Sequence, residues 1–342
     1  MGLESLNERE RKVLEAIVQS YVETAEPVGS RVLARRFGLG VSAATIRNAM
    51  SDLEDKGYLF HPHTSAGRVP TDRAYRLYVD ALMGSPRITR EERDVLREGL
   101  SHGSAVTEVL RRAAEVLGVL SQELGVAVAP SLDAAVLERL DLVSVSAERL
   151  LLVLTLKSGV VRTIFVHVPG SLHPDAIVSI ALVLNDRLAG LTLREIRATL
   201  TDRLRDSART PSESELLDIF LATGEAIFDL QADAGETVVL GHTSVLADQP
   251  EFSGARMKSL IELTEQRDVL RRVLGQRSAG SLTITIGGEN EPQLANLTLV
   301  TSPYRAGPLT GVIGVLGPTR MPYEKVVALV EHTSKMVGDL LR

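Results

Sequence analysis

Hydrophobic positions keep a helical rhythm at the start of this chain, run together in short apolar blocks past residue 140, and return to a helical stripe at its end. Val13, Leu14, Ile17, Val18, Tyr21 and Val22 recur at the spacing of one helix face. Asn7 is placed to cap that helix, and Pro27 and Gly29 to end it near Thr24. Ser30 is read as the cap of a short second helix over 31–37, with Val32, Leu33 and Phe37 inward. After the Gly38-Leu39-Gly40 turn, Ser42 caps a third helix ending near Gly57. Its residues Ile46, Ala49, Met50 and Leu53 form one buried stripe. Two short extended pieces then flank a small Gly-containing tip at 63–67, the pattern of a hairpin. Thr71 caps a further helix through Met83 that carries Tyr75, Tyr78, Val79 and Leu82.

Gly84-Ser85-Pro86 breaks the pattern and reads as a linker. Beyond it, Val106, Val109, Leu110, Ala113, Leu117, Leu120 and Leu124 trace one long amphipathic helix. Val- and Leu-rich blocks at 140–145, 150–156 and 160–168 predict an antiparallel meander. Helical stretches follow at 175–188, 193–204 and 214–230. Strand patterns resume at 237–240, 281–286, 297–301 and 310–316, before a last helix over 323–341. Strands, a helical block and strands again predict an α+β domain interrupted by an insertion.

Length sets two or three domains for 342 residues. The longest apolar runs, 150–156 and 177–184, are too short to span a bilayer. No secretory leader is recognisable at the N-terminus, and the absence of cysteine fits a reducing, cytoplasmic setting.

Charge narrows the reading further. The first 83 residues balance 11 basic against 11 acidic side chains, so the formal net charge of -6 lies in the remainder. Yet residues 28–51 hold Arg31, Arg35, Arg36 and Arg47 and no acid. An acidic chain that clears acids from one helical stretch marks a surface for phosphates. On the third helix, Ala44, Thr45, Arg47, Asn48 and Ser51 face outward near the N-terminus, with an Arg and an Asn suited to guanine and adenine edges. Asp52, Glu54 and Asp55 come only in later turns, where a recognition helix leaves the groove. Arg47 and Asn48 are therefore assigned to bases, and Ala44 and Thr45 to thymine methyls or nearby phosphate. Ser30, Arg35, Arg36 and Ser42 are assigned to phosphate, and Arg68 to a wing formed by the hairpin.

The run from Ser42 to Asn48, the wing run from His63 to Asp72 and the Tyr75-Arg76-Leu77-Tyr78-Val79-Asp80 segment resemble the bacterial heat-inducible transcription repressor family, HrcA. Weaker similarity extends to Asn185-Asp186 and to Asp248-Gln249-Pro250-Glu251-Phe252. The resemblance implies a winged helix-turn-helix over 1–84 and a GAF-like α+β domain in two parts, 85–168 and 237–342. It also implies a mainly helical dimerisation domain inserted at 169–236. Within that insertion the stripe Leu216, Phe220 and Ile227 is assigned to the dimer contact. The implied partners are double-stranded DNA carrying an inverted-repeat operator of heat-shock operons, a second copy of the chain, and the chaperonin as modulator.

Chemistry of other kinds is not written in the chain. It has no Walker loop and no Gly-x-Ser-x-Gly elbow, and Gly311, Gly314 and Gly317 lie in an apolar strand-and-turn segment. His61 and His63 lack a carboxylate-rich setting for a metal. No cofactor is implied. The alternatives are a small-molecule hydrolase on the α+β domain and a winged-helix regulator that senses a ligand through its GAF-like domain.

Overall fold

The computed structural model describes residues 6–63, 67–100, 106–130, 132–168, 173–205, 210–228, 238–247, 249–252, 254–277, 280–307 and 309–341. The chain begins with α1 (Glu8–Thr24), α2 (Ser30–Arg36) and α3 (Ala43–Asp55). The two-residue strands β1 (Leu59–Phe60) and β2 (Val69–Pro70) follow, then α4 (Asp72–Leu77), which runs on into a wider π-turn over Tyr78–Leu82. Next come α5 (Arg90–Leu100), α6 (Val106–Ser121) and β3 (Leu124–Val128). A meander of β4 (Leu137–Ser146), β5 (Arg149–Leu156) and β6 (Val161–His167) precedes α7 (Pro174–Leu188), α8 (Leu193–Leu204) and α9 (Pro211–Phe228). The chain closes with β7 (Val238–Leu240), α10 (Ala255–Glu265), α11 (Arg267–Gly275), β8 (Thr283–Ile286), β9 (Leu297–Ala306), β10 (Leu309–Pro318) and α12 (Tyr323–Leu340). Among the described residues no helix is long and apolar enough to cross a membrane.

These elements form two compact units. One comprises residues 1–128, 238–304 and 312–340 and contains a five-stranded sheet in the order β7-β3-β10-β9-β8. Leu124, Val126 and Val128 of β3 share a core with Leu260, Leu263, Leu270, Val273 and Leu274 of α10 and α11. Helix α6 packs on β3 as well, and α5 and α12 pack on α6. The approach of α6 requires glycine at 125, because a Cβ there would overlap the Ala114 carbonyl. All five residues of β3 are buried, which explains why Leu124 also fits a helical rhythm. The predicted long helix instead stops at Ser121, and Gln122 takes a positive φ before the strand begins.

The second unit comprises 129–237, 305–311 and 341–342. Its sheet is the meander β4-β5-β6, and its core joins Leu140, Leu150, Leu152 and Leu154 to Ile180, Leu184, Ile196, Leu216 and Phe220. Asn185 pins α7 to β4: its Oδ1 accepts the Leu140 N–H at 2.9 Å and its Nδ2 donates to Leu140 O at 2.6 Å. The second compact unit thus begins at residue 129 and takes in the meander as well as α7–α9. The meander packs under the inserted helices, because its inward leucines need the apolar stripes of α7–α9 for cover.

A candidate nucleic-acid interface

Helix α3 starts where its cap chemistry places it. Ser42 accepts the Thr45 N–H at 3.1 Å, with the two hydroxyls 3.0 Å apart. The preceding turn is tight, and Gly38 and Gly40 supply its two left-handed positions (φ 54° and 69°). Ile46, Ala49, Met50 and Leu53 are buried, so the rotation of the helix is fixed by its own stripe. That rotation leaves Ala44, Arg47, Asn48 and Ser51 exposed and Thr45 half-buried. The first turn carries no acid. Among the described residues neither Arg47 nor Asn48 has a side-chain partner, so a guanidinium and a carboxamide stand free on one short surface.

The other assigned residues divide. Arg35 is exposed near the end of α2, its Nε 3.3 Å from Arg31 O, and Arg36 is ion-paired with Glu23 of α1. Ser30 does not cap α2. Gly29 holds the cap position in extended geometry, and Ser30 is the first helical residue with its side chain buried. Ser30 therefore contributes little surface, and its role is not that of the cap. Val32, expected inward, is exposed instead.

Arg68 is placed differently from its assignment. Its Nη2 lies 2.7 Å from Glu54 Oε2, its Nη1 meets His61 Nε2, and its side chain is only 17% exposed. The residue chosen for the wing's grip on DNA instead ties the hairpin to the back of α3. Its backbone exchanges two 2.9 Å hydrogen bonds with Val28, which adds a third extended segment beside β2. Gly67 allows this closeness, since a Cβ there would overlap the Val28 carbonyl group. The hairpin tip at Thr64, Ser65 and Ala66 lies outside the described residues.

The proposed dimer stripe is also relocated. Leu216, Phe220 and Ile227 are 0%, 0% and 5% exposed and belong to the unit's own core. Their apolar surface is already covered within one chain, so they cannot form a contact between chains. Sequence periodicity finds an apolar stripe but not what covers it.

The family model for the HrcA protein C-terminal domain matches residues 107–327. A protein named heat-inducible transcription repressor HrcA from Chlorobium phaeovibrioides (strain DSM 265 / 1930) is 41% identical over 97% of this chain and 96% of its own length. The chain belongs to the HrcA family. A second protein of that name, from Geobacter sulfurreducens (strain ATCC 51573 / DSM 12127 / PCA), is 36% identical, covering 98% of both chains. In three dimensions the HrcA-like chain resembles a crystal structure of a hypothetical protein at 2.2 Å resolution, with a TM-score of 0.60 and 23% identity. That alignment covers 98% of this chain and 99% of the other, and it supports the overall fold.

Proposed function

We propose that this heat-inducible transcription repressor binds an inverted-repeat operator as a dimer, through a winged helix-turn-helix built from α1–α3 and the β1–β2 hairpin. The observation that carries this reading is the free, acid-less first half of α3. Arg47 and Asn48 stand unpaired there, while the acids of its last turns face the hairpin or solvent. Arg47 and Asn48 read bases from the major groove; Ala44 and Thr45 meet thymine methyls or nearby phosphate. Ser42, Arg35 and Arg31 hold phosphates, and Arg36 joins them if DNA competes with Glu23. The five-stranded unit is the GAF-like body, and the chaperonin is the modulator that the family implies.

Two-fold DNA calls for a two-fold protein. With the α9 stripe buried, the outward face of the meander is the better dimer surface. Val143, Leu151 and Phe165 are register partners across its three strands, and Val143 and Phe165 are 48% and 64% exposed. Val145 and Val161 extend the exposed apolar area. A second reading, ligand sensing, rests on a cavity of about 320 Å³ in the first unit, lined by Asp72, Glu251, Phe252, Leu263, Asn296 and Leu297 among others.

The deciding test is a mobility-shift titration on a heat-shock inverted repeat and on a scrambled duplex, at one near-physiological salt concentration with chaperonin present. A preference of about a thousandfold or more supports the repressor reading. Equal, salt-sensitive binding to both duplexes removes the operator assignment.

A further inference from the structure

The residues that follow the hairpin are turned away from the interface and toward the five-stranded body. Thr71 caps α4, and its hydroxyl donates to Gly57 O at 2.9 Å. Asp72 Oδ2 accepts the Gly288 N–H at 3.0 Å. Gly287 beside it has φ 52°, and a Cβ there would overlap the Asp72 carboxylate, so the approach requires glycine. One turn on, Arg76 grips Glu289 in two-pronged fashion, with Nε to Oε1 at 2.8 Å and Nη2 to Oε2 at 2.6 Å. The same Nη2 donates to Ile284 O at 2.7 Å, and Nη1 lies 3.1 Å from Asp80. The Tyr78 hydroxyl meets the Glu324 carboxylate of α12. A second brace holds the end of α1, where Arg320 Nη1 donates to Val22 O at 2.7 Å while its guanidinium pairs with Glu251.

We propose that Arg76, locked on Glu289, is a positioning residue that sets the angle at which the DNA-reading helices are presented. The inference rests on the dimeric DNA-binding reading above. A dimer gains from its second half-site only if the second helix arrives in register, about 34–36 Å and one helical turn away. A joint that swings freely spreads that helix over many positions and lowers its effective concentration. A planar guanidinium on a carboxylate fixes direction as well as distance, which a single lysine contact would not. Arg76 lies outside the reading surface of α3, so loosening it leaves each half-site contact unchanged.

The experiment uses full-length protein and duplexes that the wild type selects from a randomised library. Each is presented as one half-site and as inverted repeats whose spacing changes in single base-pair steps over a helical turn. The wild type is expected to prefer one spacing by about tenfold or more over spacings half a turn away. Arg76→Ala should flatten that profile to within about threefold while half-site affinity stays within about twofold. Arg76→Lys should fall between, and the exchange Arg76→Glu with Glu289→Arg should restore part of the preference. If Arg76→Ala does not fold by circular dichroism, Glu289→Gln is read in the same way. An unchanged spacing profile, or a parallel loss on half-site and repeat, overturns the proposal. If the wild type selects no sequence at all, the DNA reading falls and the proposal falls with it.

Discussion

Glu54 on the last turn of α3 holds Arg68 at the base of the hairpin across 2.7 Å, so an acid of that helix pairs with the cation assigned to DNA. The pair orients the hairpin and keeps Arg68 from roaming along phosphates. Glu54→Gln should therefore raise affinity for a random duplex and steepen its salt dependence by about one phosphate contact. Discrimination between operator and random sequence should fall. Titrations at three salt concentrations check this, and an unchanged slope would rule out a freed Arg68.

Arg47 tests base reading directly. Arg47→Ala should cost roughly 1–3 kcal/mol on the operator and broaden sequence preference at one position. Equal loss on operator and random DNA would make Arg47 a phosphate contact instead.

Phe165 tests the relocated dimer surface. Its ring is exposed beside Leu151 on the outer face of the meander. Phe165→Asp should leave a folded monomer in light scattering and weaken operator binding, since two linked half-sites become two separate ones. A variant that stays dimeric would move the interface elsewhere.

Asn185 makes three hydrogen bonds, to the Leu140 N–H, Leu140 O and Ala181 O. Asn185→Leu keeps the side chain's size but strands those backbone groups, at a cost of about 1–3 kcal/mol for each that water cannot reach. Denaturant unfolding should show the loss in the unit that contains the meander. An unchanged midpoint would mean that water replaces the amide.

Glu123 predicts a pH effect. It is 2% exposed beside Gln249, and burial pushes its carboxyl well above the usual 4.5. The unfolded chain ionises first as pH rises past that value, so the group costs stability progressively above about pH 4.5. Glu123→Gln should raise the melting temperature by a few degrees at pH 8 and leave it nearly unchanged at pH 4. A lower melting temperature at pH 8 would show that Glu123 is charged and serves Arg320.

What the sequence disclosed follows from how local each signal is. The caps Asn7, Ser42 and Thr71 act within three residues, and all three are found where the pattern puts them. The buried stripe of α3 is equally local, and it alone decides that Arg47 and Asn48 point outward. Ser30 misleads because a serine suits both the cap and the first helical position. The Arg68–Glu54 pair depends on how a hairpin folds back, which no spacing rule encodes. The meander reads as part of the main sheet because its alternation is the same whichever helices cover it. Leu216, Phe220 and Ile227 form a true stripe, but periodicity is blind to whether its cover comes from the same chain.

Val128 and Val238 are cross-strand partners that flank segment 129–237, the main part of the second unit. An unstructured excursion of roughly a hundred residues between them would cost about 4 kcal/mol in loop closure. A segment that packs β4–β6 against α7–α9 is no longer a free loop, which offsets most of that cost. The core of that unit is nearly all its own, with Leu309 added from the later chain. During synthesis β3 lacks both its sheet neighbours until β7 and then β10 emerge. Over that interval β3, buried on both faces in the finished protein, is an open strand edge in need of protection from other chains.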